Sequence, residues 1–362
     1  MEQTHASSAA VTAANLAAFC IAAMQKSGLS DEDARLTAEV LVTTDTLGTF
    51  THGTRQLRGL LKNVRDGRLS AAAREEVVAA GPAWAIVDAH YAMPPAVSYR
   101  SMELAMQKAR ACGIGYVGVR HSSHYGAAGF YANLAARNDM FGLSMCNVDP
   151  CMTVPGSKGR VLGTNPIAYA APAGAERSVY LDIATSAVAA TKIYAAKSLG
   201  TPIPDNWLVD EDGLPTSDYS DFPEKAVQLP MAGHKGYGLA VMVEILTAVL
   251  TGAAVMSEVN SWVIDSPEPT NEGHAFIAID VGQIMPLGEF KGRMDGMIRE
   301  IKSAPLAKGA DRIYLPGEIE LERRDSALAQ GIDLPPDVLA SLRGLAEDVG
   351  IDPAQFNLDL GM

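Results

Sequence analysis

Three histidines occur where an imidazole could move a proton. His121-Ser-Ser-His124-Tyr-Gly126-Ala-Ala-Gly129 reads as a loop with two histidines that runs into a helix, and Leu134, Ala135 and Ala136 continue the pattern toward Arg137. An imidazole ahead of a helix start meets unpaired backbone N–H groups and the positive end of the helix dipole, which favour its neutral form. Near pH 7 such a ring can give or take a proton. A helix-capping histidine is the plainer alternative. Thr51-His52-Gly53-Thr54-Arg55 sets a third histidine at a helix entrance, with Thr51 expected to cap and Arg55 on the face of His52. A proton donor beside a guanidinium suits a carboxylate held next to a carbonyl that is being protonated.

Other segments could hold an anion or a planar ligand. Gly233-His234-Lys235-Gly236-Tyr237-Gly238 precedes an apolar helix, so its backbone N–H groups and one lysine make a cradle for phosphate. It is not a Walker A loop, because no Ser or Thr follows the lysine. Leu181-Asp182-Ile183-Ala184-Thr185-Ser186 ends a strand and opens a helix, where small residues allow close approach. Leu315-Pro316-Gly317-Glu318 and Gly163-Thr164-Asn165-Pro166 read as turns. His121 and His124 with Cys146 or Cys151 could be assembled into a zinc site, but no HExxH or CxxC spacing supports it and no metal is expected.

One nucleotide-binding match is rejected. Gly113-Ile-Gly115-Tyr-Val-Gly118, with Asp139 downstream, fits G-x-G-x-x-G, but the fingerprint needs a strand before the glycines and a helix after. Here residues 100–111 read as the helix, Gly113 as its stop and Ile114–Val119 as a strand.

These residues must be positioned by a chain of 362 residues with 48% hydrophobic and 20% charged residues, enough for a sizeable core. Helices are expected at 11–27, 31–47 (entered through Ser30), from 51–54 to about 64, and at 94–111, 126–137, 186–198, 237–251, 288–304 and 335–349. Strands are expected at 76–80, 83–88, 114–119, 140–147, 167–171, 179–183 and 275–280. The irregular alternation favours a mixed sheet with helices over a doubly wound one. A helical lobe at 1–72, joined by about 286–362, and a sheet domain at 73–285 are the expected units. The net charge of −13 without a basic cluster argues against nucleic acid. Four cysteines without paired spacing, and no basic flank leading into an apolar run at the start, fit a cytoplasmic protein. Tyr237–Met256 approaches a bilayer span, but Glu244 at its centre favours a buried core helix, with no membrane partner.

Together these segments resemble the malate/L-lactate dehydrogenase family, which includes ureidoglycolate, sulfolactate and diketogulonate oxidoreductases. The matching pieces are Thr51-His52-Gly53, Ser123–Tyr131, Gly163–Ile167, Leu181–Ser186, Lys235–Leu239, Gly273–Ile277 and Pro316-Gly317-Glu318, in order across about residues 11–325. The resemblance implies an α/β (α+β type) fold: a non-Rossmann mixed, largely antiparallel sheet with flanking helices and a small helical lobe, usually a homodimer with active sites near the interface. It implies an NAD- or NADP-dependent enzyme acting on a small 2-oxo or 2-hydroxy acid. His52 matches the acid/base histidine of the family, and His124 the histidine given that role in some members. Asp182, Ile183, Ala184, Thr185, Ser186, His234, Lys235, Gly236, Pro316, Gly317 and Glu318 match the cofactor lining, and Thr51, Arg55 and Asn165 are assigned to the substrate. There is one departure. Many members carry an arginine four residues after the first histidine and a tyrosine four further on, where this chain has Gln56 and Leu60. Two alternatives stand beside the dehydrogenase: a metal-dependent hydrolase using His121 and His124, and a non-catalytic small-molecule binder.

Overall fold

The structure, a computed structural model, describes residues 11–261 and 266–360. Residues 1–10 and 361–362 of the expected helical lobe, and 262–265 of the sheet domain, lie outside it.

The strands are β1 (Glu76–Ala80), β2 (Trp84–Asp88), β3 (Ile114–Ser122), β4 (Met140–Cys146), β5 (Ile167–Ala171), β6 (Val179–Ile183), β7 (Leu208–Val209), β8 (Pro215–Thr216), β9 (Val227–Gln228) and β10 (Glu272–Asp280). The main sheet runs β1-β2-β3-β10-β4-β5-β6, and β8-β7-β9 form a small second sheet. Among the described strands of the main sheet only β2 and β3 pair in parallel; the other pairs are antiparallel. That one parallel pair needs a crossover, supplied by α4 (Pro94–Cys112). The sheet is thus mixed and mostly antiparallel, flanked by helices and not of the Rossmann type.

The remaining helices are α1 (Ala13–Lys26), α2 (Asp31–Thr46), α3 (Leu57–Arg65), α5 (Ala128–Ala136), α6 (Ala190–Leu199), α7 (His234–Glu244), α8 (Val281–Ile284), α9 (Leu287–Lys302), α10 (Glu318–Gln330) and α11 (Pro336–Val349). The Ser30 hydroxyl caps α2 by accepting the Asp33 N–H at 3.1 Å. A core of Val87, Met102, Ala105, Val117, Phe130, Tyr131 and Phe276 lies between the sheet and helices α4 and α5. On the opposite face the Tyr116 hydroxyl donates to the carbonyl of Leu246 at 2.7 Å, in the π-helical turn Ile245–Val249 that continues α7. Neighbouring residues of a strand point to opposite faces, so Tyr116 and Val117 seat the two layers. A second core joins Leu16, Phe19, Leu41, Leu57 and Leu60 to Leu342, Leu345, Leu358 and Leu360, and Val11 pairs with Ile332.

Several expected elements shift. The helix placed at 237–251 starts at His234 and changes to a π turn after Glu244, the one at 186–198 runs 190–199, and the one at 126–137 runs 128–136. Helix α10 and the two-residue strands had no clear signal. Gly113 ends α4 at φ +84 and β3 follows, the reverse of a dinucleotide turn, while Asp139 pairs with Lys291 at 2.6 Å. No helix among the described residues is long and apolar enough to cross a membrane.

Candidate active site

The end of β3 and the turn after α2 bring two histidines face to face. The ring centroids of His52 and His124 lie 5.4 Å apart, with their planes 30° from parallel. His124 is buried, and its Nδ1 accepts the N–H of Gly126 at 3.3 Å, which leaves the proton of the neutral ring on Nε2. Burial, reinforced by His52 and His274, holds its pKa well below the usual value. His52 keeps an exposed edge but is crowded by protein on its other sides; that desolvation, aided by the Arg55 charge, pushes its pKa down to about 4. The two adjacent rings each disfavour the cation, and a charge on His52 would oppose one on His124.

The expected cap at Thr51 is absent. Residues 50–52 and 54–56 form two 3₁₀ turns ahead of α3, and the Thr51 hydroxyl instead pairs with Nδ1 of His52 at 2.8 Å, holding the ring. Arg55 reaches toward α11, where it pairs with Asp337 at 3.0 Å. That exposed pair is weak enough to exchange for another carboxylate. Gln56 donates to the carbonyl of Thr51, Leu60 is in the core, and Arg58 pairs with Asp348, so neither departure from the family pattern adds a charge beside His52.

Asp182, at the end of β6, ties this centre to the sheet. Its Oδ2 accepts the N–H of Gly129 at 2.7 Å, in the first turn of α5. The side chain is exposed at one edge, yet the protein crowded around the rest desolvates it and raises its pKa to about 6, with help from Glu320 and against the lowering effect of that bond. Beyond Asp182 the chain passes Ile183 and Ala184 to Thr185, whose N–H and hydroxyl both donate to the carbonyl of Thr164 at 2.8 Å. The carbonyl of Thr185 accepts the N–H of Met231 at 2.9 Å, and Ser186 bridges to Pro230. These bonds gather the 163–166 turn, the 182–186 segment and the start of α7 into one region.

The expected phosphate cradle is changed in kind. His234, Lys235 and Gly236 lie within the first turn of α7, and the Gly236 N–H is taken by the carbonyl of Met231 at 2.9 Å. What faces outward is the exposed side chains of His234 and Lys235 at the positive end of an 11-residue helix. Asn165 is fully buried: its amide donates to the carbonyl of Ala240 at 3.0 Å and to Glu244 Oε2 at 2.8 Å, and its oxygen accepts the N–H of Val148 at 3.1 Å. All three of these bonds end inside the protein. The carbonyl of Pro316 accepts the N–H of Tyr180 at 3.2 Å, which docks the 315–318 turn on β6. Glu318 is buried, yet the Leu315 N–H and Lys302 at 2.6 Å outweigh that burial and hold its pKa low. A cleft of about 240 Å³ opens there, lined by Arg177, Ile298, Lys302, Leu315, Pro316 and Glu318.

Residues without an assigned role in the sequence also shape the site. Glu244 Oε1 accepts from Asn147 at 3.2 Å and from the N–H of Met256 at 2.8 Å, which completes the network with Asn165. The signal for it was a lone carboxylate in an apolar run. His274 stacks on Tyr125, centroids 4.3 Å apart, and meets the Ser122 hydroxyl at 2.9 Å. His121 belongs elsewhere: its Nδ1 lies 2.9 Å from both oxygens of Asp88, so it does not converge with His124 on a common ligand. Among the described residues no three His, Cys, Asp or Glu side chains are grouped to hold a metal ion.

This architecture is shared with a group of oxidoreductases. The family model for malate/L-lactate dehydrogenase matches residues 11–343. The chain is 36% identical over 343 residues to a malate dehydrogenase of Pyrococcus abyssi, covering 93% of this chain and 94% of that one. It is 32% identical to the NAD(+) ureidoglycolate dehydrogenase of Escherichia coli K12, covering 86% and 89%. The solved sulfolactate dehydrogenase of Methanocaldococcus jannaschii superposes with a TM-score of 0.90 at 33% identity, over 96% of this chain and all of the other. The chain belongs to the malate/L-lactate dehydrogenase family and is an enzyme of the dehydrogenase class.

Proposed function

We propose that the protein interconverts a small 2-hydroxy acid and its 2-oxo acid, with NAD or NADP as hydride carrier and the His52–His124 pair as acid/base. The observation that carries this reading is the 5.4 Å approach of two neutral imidazoles contributed by separate parts of the chain. The residues present fit a dinucleotide. Exposed Lys235 offers a cationic side chain, and exposed His234 a ring N–H, at a helix N-terminus for its phosphates. When bound, the nicotinamide supplies or takes the hydride. In the oxidising direction a neutral imidazole accepts the hydroxyl proton as the C–H bond transfers its electron pair; in the reducing direction the pair returns that proton to the carbonyl oxygen. Arg55, released from Asp337, is the nearest candidate to hold the substrate carboxylate.

A homodimer is part of this proposal. Met242, Ile245, Val249 and Leu250 leave an exposed apolar stripe along α7 and its π turn, which a second copy would cover. Light scattering should give twice the chain mass; a monomer that turns over substrate refutes the dimer.

The reaction is tested by following NADH and NADPH oxidation against a panel of small 2-oxo acids. Turnover with at least one is expected, and none with any acid and either nucleotide refutes the reading. Replacing Lys235 with Ala should weaken nucleotide binding roughly 10-fold, or about 1.4 kcal/mol, with a smaller change in kcat. Wild-type nucleotide affinity in that variant removes Lys235 from the site.

A further inference from the structure

Asp45 occupies the last turn of α2, where the helix dipole disfavours an anion, and it is almost wholly buried. Its Oδ2 accepts both the N–H of Thr54 at 3.1 Å and the Thr54 hydroxyl at 2.6 Å. Among the described residues its Oδ1 has no hydrogen-bond partner, and it stands where a side chain on residue 53 would begin: a Cβ on Gly53 would lie 1.8 Å from it. Gly53 separates the two 3₁₀ turns, with His52 ending the first and Thr54 opening the second. From the other side the carbonyl of Thr49 accepts the His52 N–H at 3.0 Å, and the Gly48 N–H donates to the carbonyl of Asp45 at 2.9 Å. The segment bearing His52 is therefore pinned at both ends to the end of α2. An apolar residue at 45 would serve the core without an unpaired oxygen, so the carboxyl is best explained by the shape it imposes on the turn.

We infer that Asp45 is a positioning residue for His52: its carboxyl, keyed against Gly53 and bonded to Thr54, sets the orientation of the imidazole for proton transfer. Asp45 itself touches no substrate. The role in turnover rests on the reaction proposed above, whereas the hold on His52 does not.

The test combines the imidazole NMR signal of His52 with kinetics on the intact enzyme. Asp45→Ala removes the key, and Gly53→Ala forces a methyl group into its place. Both should move the His52 signal and lower kcat, by up to about 100-fold for a displacement near 1 Å, with KM within about 3-fold. The double variant should be no worse than either single one, because the methyl then meets no carboxyl. Asp45→Asn keeps an acceptor for Thr54 and should return kcat to within about 3-fold of wild type. Should Gly53→Ala fail to fold, Thr54→Val deletes only the 2.6 Å bond and should shift the same signal in the same direction. An unmoved His52 signal in folded Asp45→Ala and Thr54→Val overturns the inference. A shifted signal in an enzyme that turns over no 2-oxo acid leaves Asp45 as the anchor of His52 and refutes the reaction instead.

Discussion

Gly129 and Asp182 share the space of a single side chain. The Asp182 carboxylate accepts the Gly129 N–H at 2.7 Å, and a Cβ on Gly129 would stand 2.8 Å from the same oxygen. No larger residue at 129 can keep both the bond and the approach of α5 to β6. Gly129→Ala, three residues beyond the Gly126 N–H that His124 accepts, should therefore push Asp182 away from the start of α5. Turnover is expected to fall at least about 10-fold, with a stability loss of about 1–3 kcal/mol from the overpacking. Wild-type kinetics in this variant would show that the spacing of Asp182 from α5 is irrelevant to catalysis.

The two imidazoles should be non-additive. If they pass one proton between them, either His52→Asn or His124→Asn stops the transfer, and the second substitution has little left to remove. Each single variant should lose roughly 10²–10⁴-fold in kcat, with the double variant close to the worse single one. Losses that multiply in the double variant would mean the rings act independently.

Much of this arrangement was legible in the sequence, and the remainder failed for identifiable reasons. Ser30 before an acidic first turn marked α2, and Gly113 marked the end of α4, because capping and left-handed turns are local events. Strand order was not local. β10 inserts between β3 and β4 although it follows them by well over a hundred residues, and an alternating apolar pattern cannot name its partner. The glycines of 233–238 read as a loop because glycine disfavours helices, but Gly236 is needed where α7 passes within reach of Met231. In the candidate site, His52 and His124 stood out by type and context. Their proximity, the grip of Asp45 on Thr54 and the commitment of Arg55 to Asp337 all depend on contacts between segments far apart in the chain.

Asn165 gives a case where two roles separate cleanly. Its three hydrogen bonds all end inside the protein, so Asn165→Ala would strand Glu244 Oε2 and the N–H of Val148 without those partners. Each buried polar group left unpaired costs about 1–3 kcal/mol, so a total near 3 kcal/mol is expected in chemical denaturation. A residue that gripped the substrate would instead raise KM and leave stability alone. That second pattern would move Asn165 from the scaffold into the binding site.

Two buried groups on β10 should shape stability against pH in opposite senses. Desolvation pushes the His274 pKa down from 6.5 to about 3, so the unfolded chain binds the extra proton between those values and stability falls as pH drops below 6.5. Desolvation, helped by Asp149, pushes the Glu272 pKa up from 4.5 to about 8; the fold holds it protonated while the unfolded chain ionises, and stability falls as pH rises from 4.5 toward 8. Each group contributes a slope on the order of 1.4 kcal/mol per pH unit inside its window. Between 4.5 and 6.5 the slopes cancel, leaving these two groups a plateau with a loss on either side. Glu272→Gln keeps the oxygen that accepts the Cys146 thiol at 3.5 Å and removes the ionisation. Its stability relative to wild type should therefore climb from pH 5 to pH 8, measured by denaturant unfolding at matched salt. A difference between the two proteins that stays constant across that range would mean Glu272 ionises in the fold as it does in the unfolded chain, and the alkaline loss must then come from other groups.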